Sequence, residues 1–320
     1  MPEVNVLSGE TMGTTYNITC ILEKSITLEA VSDDIKRALK RVNRSMSVFD
    51  NQSEISLFNA KLDTLPMRIS NHFYKVLTEA AFVSNLSKGA WDGTLKPMVD
   101  LWGFGSKDKP KQIPSDQAIV ESGQHIGFSK IHFYKKGRQA FIEKKDPLVT
   151  LDLGSIAKGY GVDHVASVLK KMGLSRFIVE VGGEIYVSGE KIDGEPWIIG
   201  INSPEKSAAV TDIFVALALK DQAIATSGDY RNWIDLNGVS FAHTLDPRTL
   251  MPLQNHVISV SVIAPNCTLA DGLTTALMVL GPLEGEKMIE NIPDIKALIV
   301  TKENETYTVY SSTHFKSHIV

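Results

Sequence analysis

The sequence predicts an α+β (α/β) fold, with mostly antiparallel sheets packed against helices. Three observations lead to it. Val4 to Leu22 alternates and is β-rich. Lys130 to Tyr134 and Gln139 to Glu143 flank a Lys-Lys-Gly turn and read as a hairpin. Between such segments lie stretches with helical periodicity, among them Thr27 to Ser45, Ser70 to Lys88 and Thr268 to Leu280.

The first β-rich segment is interrupted by Gly9 to Thr14, where Met12 sits between glycines in a turn or bulge. In Thr27 to Ser45, Leu28, Val31, Ile35, Leu39 and Val42 share one face, with Lys and Arg opposite. Asp50-Asn51 signals a turn, and Ser53 with Glu54 reads as the cap of a short helix carrying Ile55, Leu57 and Phe58. Phe49, just before that turn, suits the core or a stacking platform. Ser70 reads as the N-cap of the next helix and Gly89 as its end. Trp91-Asp92-Gly93-Thr94 is a polar turn beside an aromatic, KDKPKQIP a solvated loop, and Ser115 to Ser122 a short helix.

Pro147 to Leu153 is a mostly apolar run expected to be a buried strand. Gly154, Gly159 and Gly161 then suggest a glycine-rich turn, with the helix running from Val162 to Gly173. A strand, a glycine turn and a helix start form an anion site, because free N–H groups and the helix dipole point at the turn. Plain turn chemistry explains the same spacing. The pattern is neither a Walker loop, since Lys158 precedes Gly159, nor a dinucleotide fingerprint. Strands are expected at Arg176 to Glu180, Pro196 to Asn202, Thr211 to Lys220, Ala223 to Tyr230, Val239 to Leu245, Val257 to Ala264, Ile295 to Val300 and Tyr307 to Tyr310. Thr268 is read as the cap of the helix that follows, and Pro282 to Glu290 as one more helix.

Composition narrows the class. A 43% hydrophobic and 22% charged chain is that of a globular protein, and a net charge of −4 without a polybasic run argues against nucleic-acid binding. No apolar stretch reaches the about 18 residues of a membrane span. The start, MPEVNVLSGE, lacks the basic and apolar regions of a signal peptide. Cys20 and Cys267 lie far apart in apolar contexts and read as buried thiols.

Candidate chemistry is sparse. His314 and His318 are a terminal i, i+4 pair of surface type. His243 lies at a strand end ahead of Asp246-Pro247, where both structural and catalytic histidines occur. Asp271 and Thr275 share a helix face and can reach one ion, which suits Mg²⁺; a carboxylate balancing the helix dipole is the alternative. Ser227, His243 and Asp246 offer a hydrolase triad, but no nucleophile elbow surrounds any serine.

Taken in order, GETMGTTY, MSVFDNQSEISLFN, GAWDGTLKPMVDLWGFG, LDLGSIAKGYGVDHVA, VEVGGEI, TSGDYRNW, HTLDPRT and LADGLTTALMVLG resemble the bacterial ApbE family, FAD:protein FMN transferases. The resemblance implies a T-fold-like core in a single domain over residues 1–320, with the FAD and Mg²⁺ site between two sub-lobes. It implies Mg²⁺-dependent cleavage of FAD and transfer of FMN to a Ser or Thr of a target protein, with release of AMP. FAD hydrolysis and non-catalytic FAD binding are the alternatives. Expected targets are flavin-accepting subunits of membrane redox pumps. The expected location is the periplasm, lipid-anchored to the inner membrane.

Carried over by residue, the resemblance assigns Met12 to the flavin side, and Phe49 to the place of a tyrosine that stacks on the isoalloxazine. It assigns Ala90, Trp91, Asp92, Asp152 and Lys158 to FAD, and Leu245 to the flavin. Asp271 and Thr275 are implied Mg²⁺ ligands, joined by Ser155 through side chain or backbone oxygen. His243 is the implied base for the target hydroxyl, and Asp229 a residue that orients the site. The family pattern Asp-Pro-x-Thr-Gly reads Leu250 in the glycine place, so a locally altered turn with ordinary dihedrals is expected there.

Overall fold

The computed structural model describes residues 3–22, 26–105, 112–205, 209, 212–228, 233–236, 239–304 and 306–320, with backbone alone for 233–236 and 239–240. Strands β1 (Glu3–Thr11) and β2 (Thr14–Leu22) form a hairpin. Met12 and Gly13 turn it with φ of 52° and 74°, the left-handed pair that matches strand twist. Helix α1 (Leu28–Met46) is capped by Thr27, whose Oγ1 accepts from Ala30 N, and buries Val31, Ile35, Leu39 and Val42. Ser53 caps α2 (Glu54–Ala60), and Ser70 caps α3 (Asn71–Leu86) after the short β3 (Met67–Ile69). Each serine accepts from the N–H three residues on, which satisfies a donor the helix cannot. Helices α4 (Lys96–Leu101) and α5 (Asp116–Gly123) follow, and then β4 (Ile131–Lys136) and β5 (Gln139–Lys144), which make a small sheet in the order β3-β5-β4.

The apolar run from 147 to 153 is not a strand. Val149, Leu151 and Leu153 are buried as expected, but the backbone finds other partners. Leu151 N donates to Asn59 Oδ1 and Leu151 O accepts from Asn59 Nδ2, at 2.7 and 2.8 Å. Asp152 N donates to Gly93 O at 2.8 Å. One asparagine side chain thus replaces a strand neighbour. Nor do the three glycines form a turn. They lie within α6 (Gly154–Lys171), which starts at the first of them. The cause is packing. A Cβ at Gly159 would overlap the Cys267 carbonyl, and one at Gly161 would press on Met12 Sδ at 3.1 Å.

The strands β6 (Phe177–Val181), β7 (Glu184–Ser188), β8 (Trp197–Asn202), β9 (Ile213–Leu219), β10 (Ala223–Gly228), β11 (Trp233–Leu236), β12 (Val239–Ala242), β13 (Leu245–Asp246), β14 (Met251–Pro252) and β15 (Val257–Ala264) precede α7 (Cys267–Ile289). The chain then forms β16 (Lys296–Glu303) and β17 (Thr306–Ser311). The main sheet runs β1-β2-β6-β7-β10-β15-β16-β17, antiparallel throughout. On one face α1, α3, α6 and α7 bury Val83, Ile156, Val165, Leu273 and Leu277. On the other, the β8–β9 hairpin and Phe315 cover Ile21, Val187, Ile224 and Ile263, the opposite parity of the same strands. Asn266, and not Thr268, caps α7. Thr268 instead donates from its N and Oγ1 to Asp163 of α6, which also accepts from Cys267 N. Gly281, at φ 72° and ψ 180°, breaks α7 ahead of Pro282, so the helix expected from Pro282 starts anew after the break and runs to Ile289. Both cysteines are buried thiols. No helix among the described residues is long and apolar enough to cross a membrane.

A histidine pair lies where α6 meets α3. The His72 and His164 rings meet edge to face at 4.5 Å, and His72 Nδ1 lies 2.8 Å from the Tyr160 hydroxyl. His164 Nε2 is buried without a hydrogen-bond partner. Burial, then the charges of His72, Arg41, Lys75 and Lys171, hold His164 down to about 4 from 6.5. The folded state therefore binds fewer protons than the unfolded chain between those values, and stability falls as pH drops through that window. The melting temperature is expected to fall on acidification across it, and His164→Leu to flatten the fall with little effect at alkaline pH. Equal acid slopes in both proteins would show that the proton is taken up elsewhere.

Candidate active site

Five segments converge on one cavity of about 460 Å³: residues 90–104, the start of α6, the start of β7, the end of β10 with the 243–247 loop, and the first turns of α7. That volume is within the ordinary range for a small-molecule site. Its lining includes Ala90, Trp91, Asp92, Asp152, Ser155, Lys158, His243, Leu245, Asp271 and Thr275, so most of the sequence-derived site residues meet there.

The 90–95 turn is fixed from below. Trp91 is buried, and its Nε1–H donates to Ser155 Oγ at 3.0 Å. Asp92 accepts from Thr94 N at 2.8 Å and from Phe128 N at 2.9 Å, while Thr94 Oγ1 accepts from Gly127 N at 2.7 Å. At the α6 start, Asp152 Oδ1 accepts from Gly154 N at 2.8 Å. A carboxylate of the chain itself thus takes one of the N–H groups expected to cradle an anion.

The most charged part of the wall joins α6, β7 and α7. Lys158 Nζ makes an ion pair with Glu184 Oε1 and lies 3.9 Å from Asp271 Oδ1. Asp271 Oδ2 accepts from Gly159 N at 2.9 Å. Gly159 is four residues beyond Ser155, so Asp271 meets α6 one turn after Ser155. Burial pushes the Glu184 carboxyl up to about 8, with the Asp271 charge adding to it. Burial likewise pushes Asp271 up, against the pull of Lys158 and of the Gly159 N–H. Burial alone would lower the Lys158 ammonium, but Asp271 and Glu184 outweigh it and hold it above its ordinary value. Two buried carboxylates face one ammonium, and Glu184 Oε2 has no hydrogen-bond partner.

His243 follows β12 at the cavity edge, with the Phe104 ring set edge-on to it at 6.5 Å. The hydrolase triad is not formed: the Asp246 carboxylate is taken by Arg248 Nε and Nη2 at 3.0 and 2.9 Å, and Ser227 Oγ lies 2.8 Å from Thr274 Oγ1. The expectation for Leu250 is overturned. Its φ is 63°, so the turn keeps the left-handed conformation despite the side chain. Leu250 N donates to Asp246 O at 2.7 Å, and the side chain packs into a small core with Met98, Trp102, Ile119 and Phe241.

Two of the described site residues do not line the cavity. Met12 packs at the β1–β2 tip against Gly161. Phe49 is 78% exposed on the α1–α2 turn, which rules out the core reading. Asp229 lies outside the described residues. Conversely, Glu184 is only 2% exposed and lines the cavity, yet drew no role from the sequence. A signal was there. Gly182-Gly183 is a two-residue hairpin turn that sets Glu184 opposite Val181, on the core-facing parity of Phe177 and Val179.

The donors around Asp271 are carboxylate, hydroxyl and carbonyl oxygens, and no cluster of three or more His, Cys, Asp or Glu side chains able to hold a metal occurs among the described residues. A hard cation that keeps waters and takes phosphate oxygens fits such a set, and beside it Glu184 Oε2 is buried without a hydrogen-bond partner.

Comparison with known proteins identifies the family. The chain is 38% identical over 313 residues to a FAD:protein FMN transferase of Haemophilus influenzae, covering 97% of this chain and 90% of the relative. It is 39% identical over 311 residues to one of Vibrio cholerae, covering 97% and 91%. A solved structure of flavin transferase ApbE from Vibrio cholerae superposes with a TM-score of 0.88 at 37% identity, over 99% of this chain and 100% of that one. The model of the ApbE family matches residues 12–299, and the chain belongs to that family.

Proposed function

We propose that this chain transfers FMN from FAD to a Ser or Thr hydroxyl of a target protein with release of AMP, using Mg²⁺ beside the pyrophosphate. The observation that carries the reading is the junction of α6 and α7, where Lys158 lies 3.9 Å from Asp271 in a cavity also lined by Ser155, Thr275 and His243. Asp271, Thr275 and the Ser155 carbonyl would hold the ion. When bound, it would neutralise pyrophosphate charge and steady the AMP leaving group.

The chain's own groups do the rest. Lys158, kept charged by its two carboxylates, meets a phosphate oxygen. Ala90, Trp91, Asp92 and Asp152 line the pocket for FAD, and Leu245 offers an apolar wall to the flavin. Met12 and the exposed Phe49 ring would take the far side of the isoalloxazine. The target hydroxyl attacks the FMN phosphorus, the bond to AMP breaks, and the hydroxyl proton passes to His243. His243 lines the cavity, where its ring can take that proton. Family membership supports flavin-accepting subunits of membrane redox pumps as targets, and a periplasmic location with a lipid anchor at the inner membrane.

The test is AMP release from FAD with and without Mg²⁺ and a target domain. Release is expected to need both. Rapid formation of FMN and AMP without any target would make the protein a FAD pyrophosphatase.

A further inference from the structure

We propose that Trp102 is a positioning residue for the His243 loop, acting by holding Leu250 in a left-handed conformation that leucine disfavours. The proposal rests on His243 as the base. Leu250 has φ 63°, a region where a Cβ crowds the backbone, so the conformation persists only if its surroundings impose it. Three contacts do so. Leu250 N donates to Asp246 O at 2.7 Å. Trp102 Nε1–H donates to Leu250 O at 3.2 Å. The Leu250 side chain lies on Gly123, the last residue of α5, where a Cβ would overlap Leu250 Cδ1.

The same segment grips the loop at two further points. The Trp102 ring packs on Phe241 at 5.3 Å, two residues before His243, and the Phe104 ring meets His243 itself. Trp102 is fully buried in a small core, with Met98, Ile119, Phe241 and Leu245, that is distinct from those of the main sheet. The loop carrying His243 is therefore bracketed by Phe241 and Leu250, and Trp102 touches both ends. Without the indole N–H, the Leu250 carbonyl loses its donor and the turn is free to relax to negative φ, which draws His243 off its line to the acceptor.

Trp102→Phe removes the donor and keeps a ring. The rate of FMN transfer to a target domain is expected to fall roughly tenfold to a hundredfold, as for a catalytic group displaced by an ångström, with KM for FAD within about twofold of the parent. Adding Leu250→Gly should restore most of that rate, because glycine adopts the left-handed turn unaided. Gly123→Ala presses on Leu250 from the other side; it should reproduce the loss, and Leu250→Gly should relieve it too. An unchanged rate in Trp102→Phe, or a loss that Leu250→Gly fails to restore in either background, overturns the proposal. His243→Ala in the same assay separates the two ideas. Full activity there refutes the base itself, whereas an inactive His243→Ala beside a fully active Trp102→Phe refutes only the clamp.

Discussion

Gly159→Ala is expected to slow FMN transfer about a hundredfold and to lower the melting temperature, although alanine is by about 1 kcal/mol the better helix former. At Gly159 the backbones of α6 and α7 meet: an added Cβ would overlap the Cys267 carbonyl and lie 2.8 Å from Asp271 Cβ. The start of α7 cannot move aside, because Asp163 of α6 holds the N–H groups of Cys267 and Thr268 at 2.8 Å each. Overpacking of this kind costs about 1–3 kcal/mol. The functional loss should be larger than the stability loss. The Gly159 N–H that orients Asp271 shifts with the helix, and a displacement of about 1 Å at a catalytic centre costs about a hundredfold in rate. Calorimetry and the transfer assay together check this. A stabilised, active Gly159→Ala would mean that helix propensity decides the position and that the close approach is incidental.

The second large effect is expected at His243. His243→Ala should reduce the transfer rate by about 10²–10⁴, the usual contribution of a general base, while FAD binding followed by flavin fluorescence stays near the parent value. Binding should survive because Lys158, Asp152 and the 90–92 turn, which line the same cavity from other segments, are untouched. Intact turnover in this variant would remove His243 from the mechanism.

Much of this architecture is legible locally. Thr27, Ser53, Ser70 and Ser115 all cap the helices they precede, because a cap needs only a side chain and the N–H three residues on. The hairpin around Lys136-Gly137 and the terminal strands follow from alternation and turn residues in the same way. What was not legible depends on partners distant in sequence. Asn59 replaces a strand neighbour for Leu151, 92 residues away. Gly159 looks like a turn residue until Cys267 is seen to need the space. Asp163 takes Thr268 out of its capping role across 105 residues. Leu250 misled for a related reason: a side chain that should forbid the left-handed turn is held there by Trp102 and Gly123.

The candidate site divides along the same line. Asp271 and Thr275 share a face by helical spacing alone. Their meeting with Lys158 and Glu184 is a property of the α6–α7 junction, which local sequence does not reveal. Delivery of FMN by this junction to a protein hydroxyl is read out by the intact mass of a target domain after incubation with FAD, Mg²⁺ and this protein. The expected result is a gain equal to one FMN on the target, lost when its acceptor Ser or Thr is replaced by alanine. An unmodified target, with FMN and AMP accumulating in solution, would contradict it.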